Sequence, residues 1–485
     1  MLWLALRTLQ NWLCRVSMPR TWDYGPAQLA IYADLLAKGS PLYRDFRIAP
    51  FIPLVYGPVV PAITAKLAPM FGSGTMAALE AGRSLTIAST IVTCAMIFFL
   101  ARRTGVRRIA ALLASLAFLL SPMVLRWGFE YRIDMPVLAC ELSGIFAFAG
   151  GVTTVAVALF VVSFFIKPTC IVGLATVMLF CGLSGQRRRA VTIGLIWFAM
   201  VATVTAVLAA VYPSYLLNTF ATALTPELDL EAPLLFFAVA IGGSVGVTIL
   251  AIVALMRRRM SDRLTLCLLI VASLYSFGSS LRWGSNAYYF LPAMAALTIV
   301  AGAGIELALE WILSMPTIAQ LAAGAALSLL LALGWLLAPS EITMGMRELF
   351  SPSLRCPSVV ANTWDPRALR ILASIRGPIV TDAADLTLLD ARPNLQWNEL
   401  MIMASMQAAG TFNDGALLAA ITHRQIAAFA FDDSGLDRAY RGRPFFWPRL
   451  RHAIESNYRL VAGAGPPFLM VPKDRPLPTD TEKSP

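Results

Sequence analysis

What most constrains this chain is a series of apolar runs cut by short arginine-rich loops. A helix needs about 20 residues to cross the hydrocarbon core of a bilayer. Runs of that order lie near 76–101, 109–125, 135–150, 152–166, 169–184, 190–212, 232–255, 264–281, 287–309 and 316–338. With 58% hydrophobic and 14% charged residues, the chain cannot be a soluble globular domain. It reads as an α-helical polytopic membrane protein with about 10–11 transmembrane helices.

The formal net charge of +11 raises the question of nucleic acid, and the positions of the arginines answer it. Arg102, Arg103, Arg107 and Arg108 fill one loop, Arg187, Arg188 and Arg189 a second, and Arg257, Arg258, Arg259 and Arg263 a third. Counting spans puts all three loops on one side. Positive loops mark the cytoplasmic side, so this charge reports topology and no nucleic-acid partner is expected. The segments 19–75, Arg126–Asp134, Lys167–Pro168, Tyr212–Glu231 and Arg282–Ala287, with everything after 339, then face outward.

Two stretches depart from the simple alternation of span and loop. Residues 1–18 carry Arg7, Gln10, Asn11 and Arg15, and read either as an amphipathic interfacial helix or as part of a longer first span. Residues 19–75 are too polar at their start to lie in lipid, and Pro50, Pro53, Pro58, Pro61 and Pro69 forbid one long helix. Short helices along the membrane surface fit them best.

From about Ser340 the composition becomes that of a soluble domain. PIVTDAADLTLL reads as a strand and turn, DGALLAAITHRQ as a helix and IAAFAFDD as a buried strand. PRLRHAIESNY reads as a helix and YRLVAGAGPPFLMVP as a terminal hairpin. The expected organisation is a transmembrane domain over 1–339, an outer α/β domain over 340–472 and a disordered tail over 473–485.

Chemistry in such a chain falls to few residues. Both histidines, His423 and His452, lie in the C-terminal domain, and the seven cysteines show no paired spacing. Proton transfer at the membrane therefore belongs to carboxylates. Asp23 opens the first outer segment, and its alternative is a solvated loop acid. Asp134 closes RWGFEYRID, and its alternative is a helix N-cap ahead of Pro136. Arg126, Arg132, Lys167 and Arg282 all fall at outer ends of spans, a set that would suit a phosphate if it converged. Glu80 and Arg83 are spaced to pair, and Glu141 lies on the Asp134 face of its helix, where a buried partner fits better than catalysis. Gly242 and Gly246 form a small-residue packing face. No Walker, dinucleotide or nucleophile-elbow motif is present.

WDYG, GSPLYRDF, PFIPLVYGPVVP, RWGFEYRIDMP, FFIKPT and RWGSNAYYFLP, in that order over most of 19–310, resemble the GT-C superfamily of polytopic glycosyltransferases. The branch resembled is that of protein-mannosyltransferases, aminoarabinose transferases and RgtA/B/C/D-like proteins. The resemblance implies inverting sugar transfer from a polyprenyl-phosphate donor to a lipid, glycan or protein acceptor, on the outer face of a bacterial inner membrane. It implies Asp23 as base and Asp134 as the acid that helps hold acceptor, donor or a divalent metal ion. Lys167 matches the lysine between two half-hairpin spans, and Asn286, Tyr288 and Tyr289 match a late outer motif near the donor. Tyr24 stands where many relatives carry a second acid, which leaves metal binding open. A lipid-linked-sugar transporter and an inactive assembly protein of the same fold are the competing readings.

Overall fold

The computed structural model describes residues 1–19, 21, 24–48, 54–221, 228–259, 262–282, 284–337, 364–382, 386–389, 395–397, 400–431, 436–437, 439–440, 443–461 and 465–476. Each apolar run becomes helical. In chain order the membrane part comprises α1 (Leu2–Arg15), α2 (Tyr24–Ala37), α3 (Val59–Leu67), α4 (Gly74–Arg103), α5 (Arg108–Leu119), α6 (Pro122–Trp127), α7 (Asp134–Ala149) and α8 (Thr153–Ile166). It continues with α9 (Val172–Leu183), α10 (Arg187–Val211), α11 (Ala232–Gly243), α12 (Val245–Met256), α13 (Arg263–Ser280), α14 (Leu291–Leu313) and α15 (Thr317–Leu337). Four of the helical stretches are long and apolar enough to cross a membrane, or up to five if the bent pair α11–α12 is one span, and shorter apolar helices fill the rest.

Burial orders these helices. The stretch Ala287–Leu313, which contains α14, has 78% of its apolar window enclosed, whereas α10 has 11% and presents Leu195, Phe198 and Val207 outward. The first is the centre of the bundle and the second its lipid-facing edge. Within 1–18 only a 14-residue helix forms, shorter than a span. It turns Ala5, Thr8, Trp12 and Arg15 inward and leaves Leu2, Trp3, Leu6 and Leu13 exposed.

The run 232–255 is not one straight helix, as the hydropathy suggests, but two helices meeting at 87°. Gly242, Gly243 and Ser244 supply the break, which is where glycine and serine commonly kink helices. A Cβ on Gly246 would strike the Leu330 carbonyl, one on Gly334 the Gly243 carbonyl, and one on Gly304 the Leu250 carbonyl. The expected packing face is therefore real at Gly246, and glycines let α15, α12 and α14 touch backbone to backbone.

Two arginine loops meet at one end of the bundle. Arg103 pairs with Asp262 at 3.1 Å, and Arg107 and Arg259 reach Glu310 near the end of α14 at 3.6 and 3.4 Å. At about 1.5 Å per residue, that end lies roughly one bilayer thickness from the start of α14.

The C-terminal unit is an α/β sheet of order β2-β1-β3-β7-β6, from β1 (Ile379–Thr381), β2 (Leu395–Trp397), β3 (Ala428–Phe431), β6 (Tyr458–Leu460) and β7 (Phe468–Pro472). β1 runs parallel to β2 and β3, while β3–β7 and β6–β7 are antiparallel, the latter being the expected hairpin. A separate two-stranded ladder joins β4 (Ala439–Tyr440) to β5 (Arg443–Pro444). Helices α16 (Pro366–Ser374), α17 (Leu386–Leu389), α18 (Leu400–Ala408), α19 (Gly415–Thr422) and α20 (Pro448–Asn457) complete the unit. Phe429, Tyr458 and Met470 pack with Leu417, Ile421, Leu450 and Ile454. Into this same core goes Phe46 of the first outer segment, fully buried, so the sheet unit sits at the bundle end that carries α2 and α3.

Spacing gave no disulfide, yet Cys14 is disulfide-bonded. The expected tail over 473–485 lies mostly outside the described residues.

Candidate active site

The site is built where α6, α7, α8 and α14 end or begin together. Ser121 caps α6 and Pro122 opens it, which sets the direction of Arg126 and Trp127. The chain then loops through Gly128–Ile133 before α7. Thr90 on α4 donates to the Gly128 carbonyl at 2.7 Å, and a Cβ on Gly82 would strike the Tyr131 ring, so the loop lies flat against α4.

Asp134 is the first residue of α7 and is buried, but it does not cap the helix: the N-cap is Ile133, with no side-chain bond. Its carboxylate is taken by two cations instead. Lys167 Nζ donates to Oδ1 at 2.8 Å, and Arg132 Nε to Oδ2 at 3.3 Å. Lys167 can do this because α8 stops at Ile166 and Pro168 prevents its continuation. Gly57 lies against the Phe165 and Ile166 backbone, where any Cβ would collide, and this presses the first outer segment onto the end of α8. Burial by itself would push the Lys167 ammonium down; the Asp134 carboxylate outweighs it and holds the group well above its ordinary range.

Aromatic faces close over the cations. Arg132 Cζ lies 3.9 Å from the Tyr288 ring centroid, and Lys167 Nζ 4.1 Å from that of Tyr289. The two rings stack at 5.1 Å, and Trp127 meets Tyr288 edge-on at 5.4 Å. Arg126 joins through Trp127, with Cζ 4.7 Å from that ring. Asn286 contributes by folding the backbone: its Oδ1 accepts from the Ala287 amide at 2.6 Å and caps the short helix Ala287–Phe290 that carries both tyrosines.

The structure thus brings together Asp134, Lys167, Arg132, Tyr288 and Tyr289, with Arg126 and Asn286 bordering them. Arg282 forms a backbone bridge to Leu228. Asp23 lies outside the described residues. Sequence reasoning missed Trp127, whose only signal was its place beside Arg126, and Tyr275 of α13, which lies close to Lys167. It also mispaired Arg83, which turns to Glu130 at 3.5 Å rather than to Glu80. Glu141 has the buried partners expected, the Ser163 hydroxyl and the Gly173 amide, and so ties α7 to α8 and α9.

Chemically, the cluster carries more positive than negative charge in a nearly dry place, which suits a bound phosphate. Its described residues do not by themselves make a metal site. Both Asp134 oxygens face cations, and among the described residues no three His, Cys, Asp or Glu gather.

No family model matches the sequence, and no curated protein matches it significantly. Solved structures do. ArnT from Cupriavidus metallidurans bound to undecaprenyl phosphate superposes with a TM-score of 0.63 at 16% identity, over 97% of each chain. The same protein in the apo state gives 0.58, also at 16% identity and 97% coverage of each chain. The oligosaccharyltransferase of Archaeoglobus fulgidus in the apo form gives 0.51 at 11% identity, over 99% of this chain and 75% of that one. The chain has the fold of these polytopic membrane proteins, as the motif resemblance to the GT-C superfamily implied.

Proposed function

We propose that the protein is an integral-membrane glycosyltransferase that moves a sugar from a polyprenyl-phosphate donor to an acceptor hydroxyl, with inversion. The observation that carries this reading is the buried Asp134–Lys167–Arg132 cluster beneath Tyr288 and Tyr289. The similar ArnT structure holds undecaprenyl phosphate, which supports a phosphate of this kind as the ligand.

In this reading the acceptor oxygen attacks the anomeric carbon from the face opposite the phosphate. A new C–O bond forms as the bond to the phosphate oxygen breaks. The electron pair leaves with the polyprenyl phosphate, and the acceptor proton passes to the Asp23 carboxylate. An aspartate with an ordinary pKa of about 4 is ionised and ready at neutral pH. The leaving phosphate needs charge neutralisation more than a proton, and Lys167 and Arg132 supply it. Asp134 holds these two cations in place, Arg126 and Arg282 answer the outer phosphate charge, and Tyr288, Tyr289 and Asn286 flank the donor sugar. The prenyl chain lies along the lipid-exposed spans, gaining about 0.8 kcal/mol per buried CH₂.

The acceptor is a lipid, glycan or protein on the outer side, and the C-terminal domain over 340–472 lies on that side as well. The competing transporter reading rests on the break between α11 and α12; among the described residues no second bent pair matches it, although transporters built from repeats carry such breaks in both halves.

The test is transfer from polyprenyl-phosphate sugars in proteoliposomes. The wild type forms a new glycosidic bond and releases polyprenyl phosphate, while Asp23→Asn does neither. Label that crosses sealed vesicles with no new bond would establish the transporter instead.

A further inference from the structure

A second buried charge cluster lies beside the site and takes no part in the chemistry above. Arg83 on α4 and Glu130 in the loop before α7 are 1% and 0% exposed, and face each other at 3.5 Å. The same guanidinium donates through Nη1 to the carbonyls of Arg15, Val16 and Met18, at 2.9, 3.1 and 2.6 Å. These carbonyls end α1, where a cation is favoured by the helix dipole. Arg15 is itself buried and stacks on Phe129, while Trp12 stacks on the same ring and donates to the Leu125 carbonyl at 3.2 Å. One arginine therefore ties three elements together: α4, the end of α1, and the loop that runs two residues further to Arg132 and four to Asp134.

We infer that Arg83 is a positioning residue, which through Glu130 and the end of α1 fixes the loop carrying Arg132 and Asp134 and so sets the geometry of the phosphate cluster. This inference rests on the glycosyl-transfer reading. The physical need is clear. Arg132 and Asp134 are useful only if their groups stay near 3 Å from their partners, and a misplacement of about 1 Å can cost about 10²-fold in rate. A loop of six residues containing Gly128 does not hold that tolerance by itself. The planar fork of an arginine serves several acceptors at once, which a lysine cannot do.

Arg83→Gln alone takes one buried cation away from Glu130 and threatens the fold, so the informative variant is the double Arg83→Gln/Glu130→Gln. Glu130 also faces the buried Arg15, so this variant removes one charge of each sign from a buried triad, and thermal unfolding establishes its fold before the kinetics are read. Its kcat should fall about 10²-fold with the donor KM within about twofold, and Arg83→Lys should behave alike. Normal turnover in the folded double variant would overturn the inference and leave the pair a purely structural contact. A readout free of catalysis separates this from failure of the functional reading. Spin labels at the exposed Ser17 and Ser73 should give a narrow distance distribution in the wild type and a broad one in the double variant. An unchanged distribution would also overturn it.

Discussion

Lys167 Nζ stands 2.8 Å from Asp134 Oδ1, although the two residues are 33 positions apart and belong to different helices. One ends α8 and the other begins α7, so the hairpin between these helices brings its two open ends to one point. Arg132 completes the cluster from the loop just before.

Lys167→Ala should cost transfer about 10²–10³-fold, the scale on which a single preorganised charge-stabilising donor acts. Breaking a buried pair costs about 3–5 kcal/mol, and the remaining Arg132 partner keeps the loss toward the lower end. Lys167→Arg should not restore the rate, because a fork does not fill the place of a point charge. Steady-state kinetics with thermal unfolding in detergent would check all three.

The Tyr288 ring, 3.9 Å from the Arg132 guanidinium, offers a face rather than a hydroxyl. Tyr288→Phe should keep turnover within about threefold. Tyr288→Ala should raise the donor KM about tenfold, because a desolvated cation–π contact is worth about 2 kcal/mol and part of it holds Arg132. Equal losses in both variants would move the role to the hydroxyl.

Gly304→Val should force α12 and α14 apart, since no Cβ fits against the Leu250 backbone. Overpacking of this kind costs about 1–3 kcal/mol. The melting temperature should drop while turnover per folded molecule stays unchanged.

Single cysteines at the exposed Lys38 and Gln186 test the orientation. An impermeant maleimide should label position 38 in intact cells and position 186 only after lysis. The reverse pattern would invert the topology.

Asp365 caps α16 and also accepts from the Gly465 amide, at 2.5 Å, and this holds its carboxyl below the ordinary 3.8. A depressed folded pKa contributes stability that is complete above the ordinary value and lost as pH falls through the lower one. Protection factors, taken against the intrinsic exchange rate at each pH, should therefore fall in peptides over 365–374 below about pH 4, and Asp365→Asn should remove that dependence.

What the sequence determined alone was whatever depends on neighbouring residues. The helix ends fall within a few residues of the apolar runs, because hydropathy is a property of the local chain. The α16 start at Asp365-Pro366 and the stop of α8 before Pro168 follow from capping and proline geometry. The candidate list held most of the cluster because ionic groups at span ends are costly to desolvate and so stand out. Tertiary structure decided which of them meet. Arg83 chose Glu130 over the nearby Glu80, and Asn286 became a cap. Those outcomes depend on how closely α4, α8 and the start of α14 approach one another. Glycines such as Gly57 and Gly82 set that spacing by having no side chain to keep the backbones apart.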